Sequence, residues 1–117
     1  MVNIPKNNSA ELEAKQKAAH QEEIDFIVNQ FLKGLDKSDE ANISCSEHMI
    51  GYNGSRKYHN LCDTKEAARL FKKQGYYCYY FDGYNNHGVN QRGVCVRKTP
   101  MPESRIHECR NWDWIQI

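Results

Sequence analysis

Six consecutive residues, Tyr76-Tyr77-Cys78-Tyr79-Tyr80-Phe81, carry no charged or amide side chain. In an extended strand successive side chains point to opposite faces, so both faces of this one are apolar and aromatic. Such a strand is either covered on each side or has a second face that binds something flat. Whatever fold this chain adopts must supply that cover.

A helix is expected over residues 8–35. Asn8 and Ser9 are good N-caps, and Glu11 stands three residues after Asn8 as in a capping box. Ile24, Ile27, Val28, Phe31 and Leu35 then follow a three-four spacing that forms one apolar stripe, and Gly34 marks a fraying end. Before His20 the stripe thins to alanines, so residues 1–20 are expected to be a projecting or frayed helical start, or to pack on a second molecule.

Downstream, Asn53-Gly54 separates the strand-like runs Ile43–Tyr52 and Ser55–Leu61. Asn-Gly is a strong hairpin signal, because a type I′ turn needs positive φ at both central positions. Asp63-Thr64 then read as the cap of a short helix that has Glu66 in its first turn, Ala67, Ala68, Leu70 and Phe71 facing inward, and Gly75 as its stop. The aromatic strand follows, then a long Asn-rich loop from Asp82 to Arg92, a short strand over Gly93–Lys98, an interruption at Pro100 and Pro102, and a last strand over Arg105–Ile117. The expected fold is α+β: a long N-terminal helix, a β-hairpin, a short helix and three further strands, in the order α-β-β-α-β-β-β. These form a largely antiparallel sheet with helices on one face. At 117 residues, 1–117 is expected to be a single domain.

No window approaches the roughly 20 apolar residues that cross a bilayer, and the first ten residues lack the apolar stretch of a secretory signal, so no membrane partner is expected. Five cysteines, Cys45, Cys62, Cys78, Cys95 and Cys109, form no dense disulfide framework. Reduced thiols in a cytoplasmic protein fit that pattern. The net charge of +1 conceals a segregation, since residues 55–98 hold nine cations against Asp63, Glu66 and Asp82, a local net of +6. This asymmetry points to an acidic macromolecular partner, protein or nucleic acid. Arg56, Lys57, Arg69, Lys72, Lys73, Arg92, Arg97 and Lys98 are the candidate contacts, joined by Tyr84 and His87 of the long loop.

The most specific chemical pattern is Cys45-x2-His48 followed by His59-x2-Cys62, four candidate zinc ligands flanking the expected turn. An Asn53-Gly54 hairpin sets Cys45 opposite Cys62 and His48 opposite His59. Residues three apart in a regular strand face opposite ways, so one ion could take all four only if the strands bend. A hairpin followed by a helix resembles, in topology alone, the ββα arrangement of metal-dependent nucleases. Here the helix offers Asp63 and Glu66 near its start, and no His or Asn further along to complete a coordination set. Ser and Cys nucleophile motifs, Cys-x-x-Cys and phosphate-cradling glycine patterns are absent, so catalysis is not the expected role.

The leading expectation is a small intracellular, non-catalytic binding protein of the accessory or inhibitory kind made by viruses and mobile elements. It would occupy a surface of a host macromolecule through residues 55–98. One alternative is an RNA- or DNA-binding protein that uses the cations and the aromatic strand. The other is a zinc-stabilised module or ββα-type nuclease. No cofactor other than zinc is suggested. The N-terminal helix is the expected route to any homo-oligomer.

Overall fold

A computed structural model describes residues 2–46, 59–84, 90–107 and 113–117. The chain is α+β. In order it forms α1 (Ser9–Lys37), β1 (Glu40–Ser46), β2 (His59–Asn60), α2 (Leu61–Lys73), β3 (Tyr77–Tyr84), β4 (Asn90–Arg97), α3 (Glu103–Ile106) and β5 (Ile115–Gln116). The strands make one five-stranded mixed sheet in the order β2-β1-β4-β3-β5.

The stripe predicted from Ile24 to Leu35 anchors α1. Ile27, Phe31 and Leu35 are buried in the core, with Ile24 and Val28 packed against it. The helix continues through Gly34 to Lys37, and a Cβ at Gly34 would stand 2.7 Å from that of Ala41 on β1. At the other end, residues 2–22 are all exposed. At 29 residues α1 is about 43 Å long. No helix of the described residues is long and apolar enough to cross a membrane.

Helix α2 begins earlier than the sequence suggested. Its cap is Asn60, whose side-chain oxygen accepts from the Asp63 N–H at 3.1 Å, while the Thr64 hydroxyl donates to the Asn60 carbonyl at 2.7 Å. Gly75, at φ +93°, stops the helix in the left-handed region that a residue without a Cβ enters at little cost. Ala67, Ala68 and Phe71 face the sheet, and Phe71 meets Phe31 and Tyr76 edge-on with ring centroids 5.7 and 5.4 Å apart.

The β1–β2 hairpin expectation is corrected. β2 pairs with β1 in parallel, Cys45 opposite His59 and Ser46 opposite Asn60, so Cys45 does not face Cys62. A parallel neighbour needs a long connection rather than a two-residue turn, and residues 47–58 supply one. Because Asn60 already caps α2, no strand remains to run antiparallel as far as Leu61. The Asn53-Gly54 turn itself lies outside the described residues. Of the expected last strand over 105–117, the described residues place Arg105 and Ile106 in α3 and form strand at 115–116, and 108–112 lie outside the described residues.

Aromatic β3 lies inside the sheet between β4 and β5, both antiparallel to it. On one face Cys78 and Tyr80 join Val94, Val96, Ala41 and Cys45 beneath α1 and α2. On the other, Tyr79 and Cys95 pack with Met101, Ile106 and Trp114, and the Tyr79 hydroxyl accepts from the Met101 N–H at 3.0 Å. Phe81 lies over Gly93 and meets Trp114 edge-on at 4.7 Å. The strand thus has cover on both faces.

Candidate functional site

Strand register divides the sheet into two ends. At one, β1 finishes at Ser46, β2 enters at His59, and β3 and β4 meet with Tyr84 opposite Asn90. Cys45 lies level with both His59 and Arg92. The connections 47–58 and 85–89 therefore both depart from and return to this end, called the loop end below. The opposite end carries the C-termini of α1, α2 and β4.

Behind the loop end, α1 is joined to the β2–α2 segment by a reciprocal pair of contacts. His20 of α1 donates from Nδ1 to the Asp63 carboxylate, at 3.0 and 3.1 Å from its two oxygens. In return, Glu23 of α1 accepts at Oε1 from His59 Nδ1 at 2.9 Å. Each element contributes one imidazole and one carboxylate. Each contact engages a ring Nδ1 and so orients that imidazole. Glu23 is 1 % exposed and His59 14 %, so this contact sits in the low-dielectric interior. Phe26 flanks it, with its ring centroid 5.5 Å from that of His59.

Next to this clasp the sheet presents Arg92 and Asp82, cross-strand neighbours on the helix-covered face, with Arg92 Nε donating to Asp82 Oδ1 at 2.9 Å. The Lys65 ammonium lies 4.0 Å from the centre of the Tyr80 ring, a cation–π contact. Cys45 is buried and its thiol donates to the Ile43 carbonyl at 3.6 Å. Burial pushes that thiol up to about 11, so at neutral pH it is a small apolar group rather than a nucleophile.

The four candidate zinc ligands are not assembled by the described structure. Cys45 and His59 are neighbours in register, but His59 is engaged by Glu23, Cys62 is exposed in the first turn of α2, and His48 lies outside the described residues. Among the described residues no group of three or more His, Cys, Asp or Glu side chains is arranged to hold a metal ion.

The ten candidate partner-binding residues separate between the two ends. Arg56, Lys57 and His87 belong to the loop-end connections and lie outside the described residues. Tyr84 ends β3 and Arg92 lies opposite Asp82, both at the same end. Arg97 and Lys98, at the end of β4, and Lys72 and Lys73, in the last turn of α2 just after Arg69, belong to the opposite end. There Arg69, Lys72 and Lys98 serve the fold. Arg69 pairs with Glu66, Lys72 donates to the Ile117 carbonyl at 2.6 Å, and Lys98 donates to the Leu35 carbonyl at 2.9 Å at the end of α1.

Arg97 pairs with Glu40 across β1 and β4, and Glu40 also takes Arg105 of α3 and the Asn42 amide. The Arg105 guanidinium, aided by Asn42 and Arg97, holds the Glu40 carboxyl down at about 2 against the desolvation that would raise it. Three of the tyrosines are similarly committed: Tyr79 is buried and Tyr76 and Tyr80 pack against the core, whereas Tyr77 is exposed.

Sequence reading did not single out Glu23 or Glu40. Glu23 carried a usable signal: it stands four residues before Ile27 and eight before Phe31, on the buried line of α1, where an acid needs a partner. Comparison with family models, curated proteins and solved structures finds no match.

Proposed function

We propose that this chain is a non-catalytic binding protein of the cytoplasm that occupies a surface of an acidic macromolecular partner, and that it does so with the loop end of its sheet. The observation that carries this reading is the division of the cations. Among the described cations Arg69, Lys72, Arg97 and Lys98 are taken up at the opposite end by Glu66, the Ile117 carbonyl, Glu40 and the Leu35 carbonyl, and Arg92 is taken up at the loop end by Asp82, whereas the segments bearing Arg56, Lys57 and His87 join strands at the loop end. A scaffold whose connections of 12 and five residues join strands at one end is a common way to build a recognition surface. The clasp of His20, Glu23, His59 and Asp63 supports it by fixing the strand to which the connection 47–58 returns.

Catalysis has less support, because Cys45, buried beside the clasp, is held as a thiol. Four described cysteines, Cys45, Cys62, Cys78 and Cys95, are free, which suits a reducing compartment. An accessory or inhibitory role for a virus or mobile element belongs with this reading, since such proteins act by covering a surface.

The test compares two charge reversals in a quantitative capture from cell extract. Arg56→Glu with Lys57→Glu should remove the captured partner, and Lys72→Glu with Lys73→Glu should leave it. Loss in the second variant alone would reject the loop-end assignment, and capture of nothing specific by the unaltered protein would reject the binding role.

A further inference from the structure

We infer that two copies of this chain associate through an antiparallel pairing of their α1 helices about a two-fold axis at Gln21. The starting point is an apolar groove between α1 and α2, lined by Val28, Leu32, Leu70, Phe71 and Tyr76 and rimmed by Lys73. Leu32 is 49 % and Leu70 44 % exposed. Along α1 the face that carries Val28 and Leu32 continues toward the N-terminus through Asp25, Gln21, Lys17, Ala14 and Ala10, spaced by three and four. The first part of this face is small, the last part is large and apolar, and the middle carries one acid and one base.

That order is self-complementary when reversed. With Gln21 on the axis, Ala14 of one copy lies opposite Val28 of the other, Ala10 opposite Leu32, and Lys17 opposite Asp25. Small residues opposite large ones let the helices approach closely, and each copy forms the Lys17–Asp25 pair once, giving two equivalent ion pairs. Glu11 and Glu13, which flank this face, arrive near the Lys73 rim. The overlap of residues 10–32 runs about 33 Å, enough for a continuous helix–helix contact.

The same contact accounts for the length of α1. Its first turns leave the body of the protein with residues 2–22 all exposed. The Glu11/Lys15 and Glu13/Lys17 spacings keep that part helical without a cover. Projection leaves Ala10 and Ala14 exposed and open to a second molecule. The contact closes with two copies, so it produces a dimer and not a filament.

The experiment measures solution mass against protein concentration for the full chain and three variants. The expected result is twice the 13.7 kDa chain mass for the unaltered protein. Lys17→Glu and Asp25→Lys should each raise the dimer dissociation constant by about tenfold, since each creates two like-charge oppositions. Lys17→Glu combined with Asp25→Lys should restore it, because the pair is re-formed with its charges exchanged. Unchanged circular dichroism in all variants guards against loss of the helix. A protein that stays monomeric at every concentration, a dimer indifferent to both single changes, or a double variant that fails to recover would overturn the pairing.

Discussion

Glu23 Oε1 lies 2.9 Å from His59 Nδ1, in a contact that joins the middle of the first helix to the edge strand of the sheet. The two residues are 36 positions apart, and the acid is almost wholly buried. A carboxylate in that position must be compensated, and the His59 imidazole is one partner that the structure supplies. In β2 the same His59 stands level with Cys45 of β1.

Removing one partner should therefore cost more than removing both. Glu23→Ala is expected to destabilise the protein by about 3 kcal/mol, the cost of breaking a buried pair. Glu23→Leu combined with His59→Phe should cost clearly less than the sum of the single changes. Chemical denaturation of the four proteins of the cycle measures this, and additive effects would show that the two side chains do not interact.

Glu40 provides a pH-dependent counterpart on the other face. Its folded carboxyl is held at about 2, below the ordinary 4.5, so it contributes stability above the unfolded value that is lost as pH falls from about 4.5 toward 2. Glu40→Gln should be less stable than the unaltered protein by about 2 kcal/mol at neutral pH, and the gap should close across that acid window. Denaturant midpoints taken from pH 7 to pH 2 report the difference directly. A gap independent of pH would remove the ionic role of Glu40.

Gly93 should tolerate no side chain. A Cβ there would stand 2.5 Å from the Phe81 ring, which is itself held edge-on against Trp114. Gly93→Ala is expected to lower stability by about 2 kcal/mol through displacement of that ring, with Gly93→Val worse. The check is a thermal melt read with the near-ultraviolet signal of the aromatic cluster.

The described cysteines should divide by burial. Cys45 and Cys78 are pushed up to about 11 by desolvation and Cys95 is pushed higher still, whereas Cys62 is exposed at the start of α2. Under native conditions a thiol reagent should modify Cys62 and leave the other three until the protein unfolds, as mass mapping of labelled peptides would show. Protection of Cys62 that a chelator abolishes would instead revive the zinc set of Cys45, His48, His59 and Cys62.

Much of the fold was legible because its signals are local. The six-residue aromatic run announced a strand with two apolar faces, which the structure covers on both sides, the Ile24–Leu35 stripe announced the helix above it, and Gly75 marked the end of α2. The pairing of β2 was not legible, because Asn53-Gly54 is a local signal whereas the contact of His59 with Glu23 joins residues 36 positions apart, and Asn60 ends the strand as a helix cap. The candidate site was legible as charge but not as free charge. A run of cations reads alike whether its members face solvent or are consumed by Glu66, Glu40 and the carbonyls of Leu35 and Ile117, and only the tertiary structure separates the two.

The central claim is that recognition takes place at the loop end. A photo-crosslinking residue placed at Gln91, an exposed position of β4 beside the 85–89 connection, should be compared in cell extract with one placed at Lys73 at the opposite end. Adducts to one macromolecular partner from position 91, with none from position 73, are the predicted result. Adducts from position 73 alone, or from neither position, would contradict it.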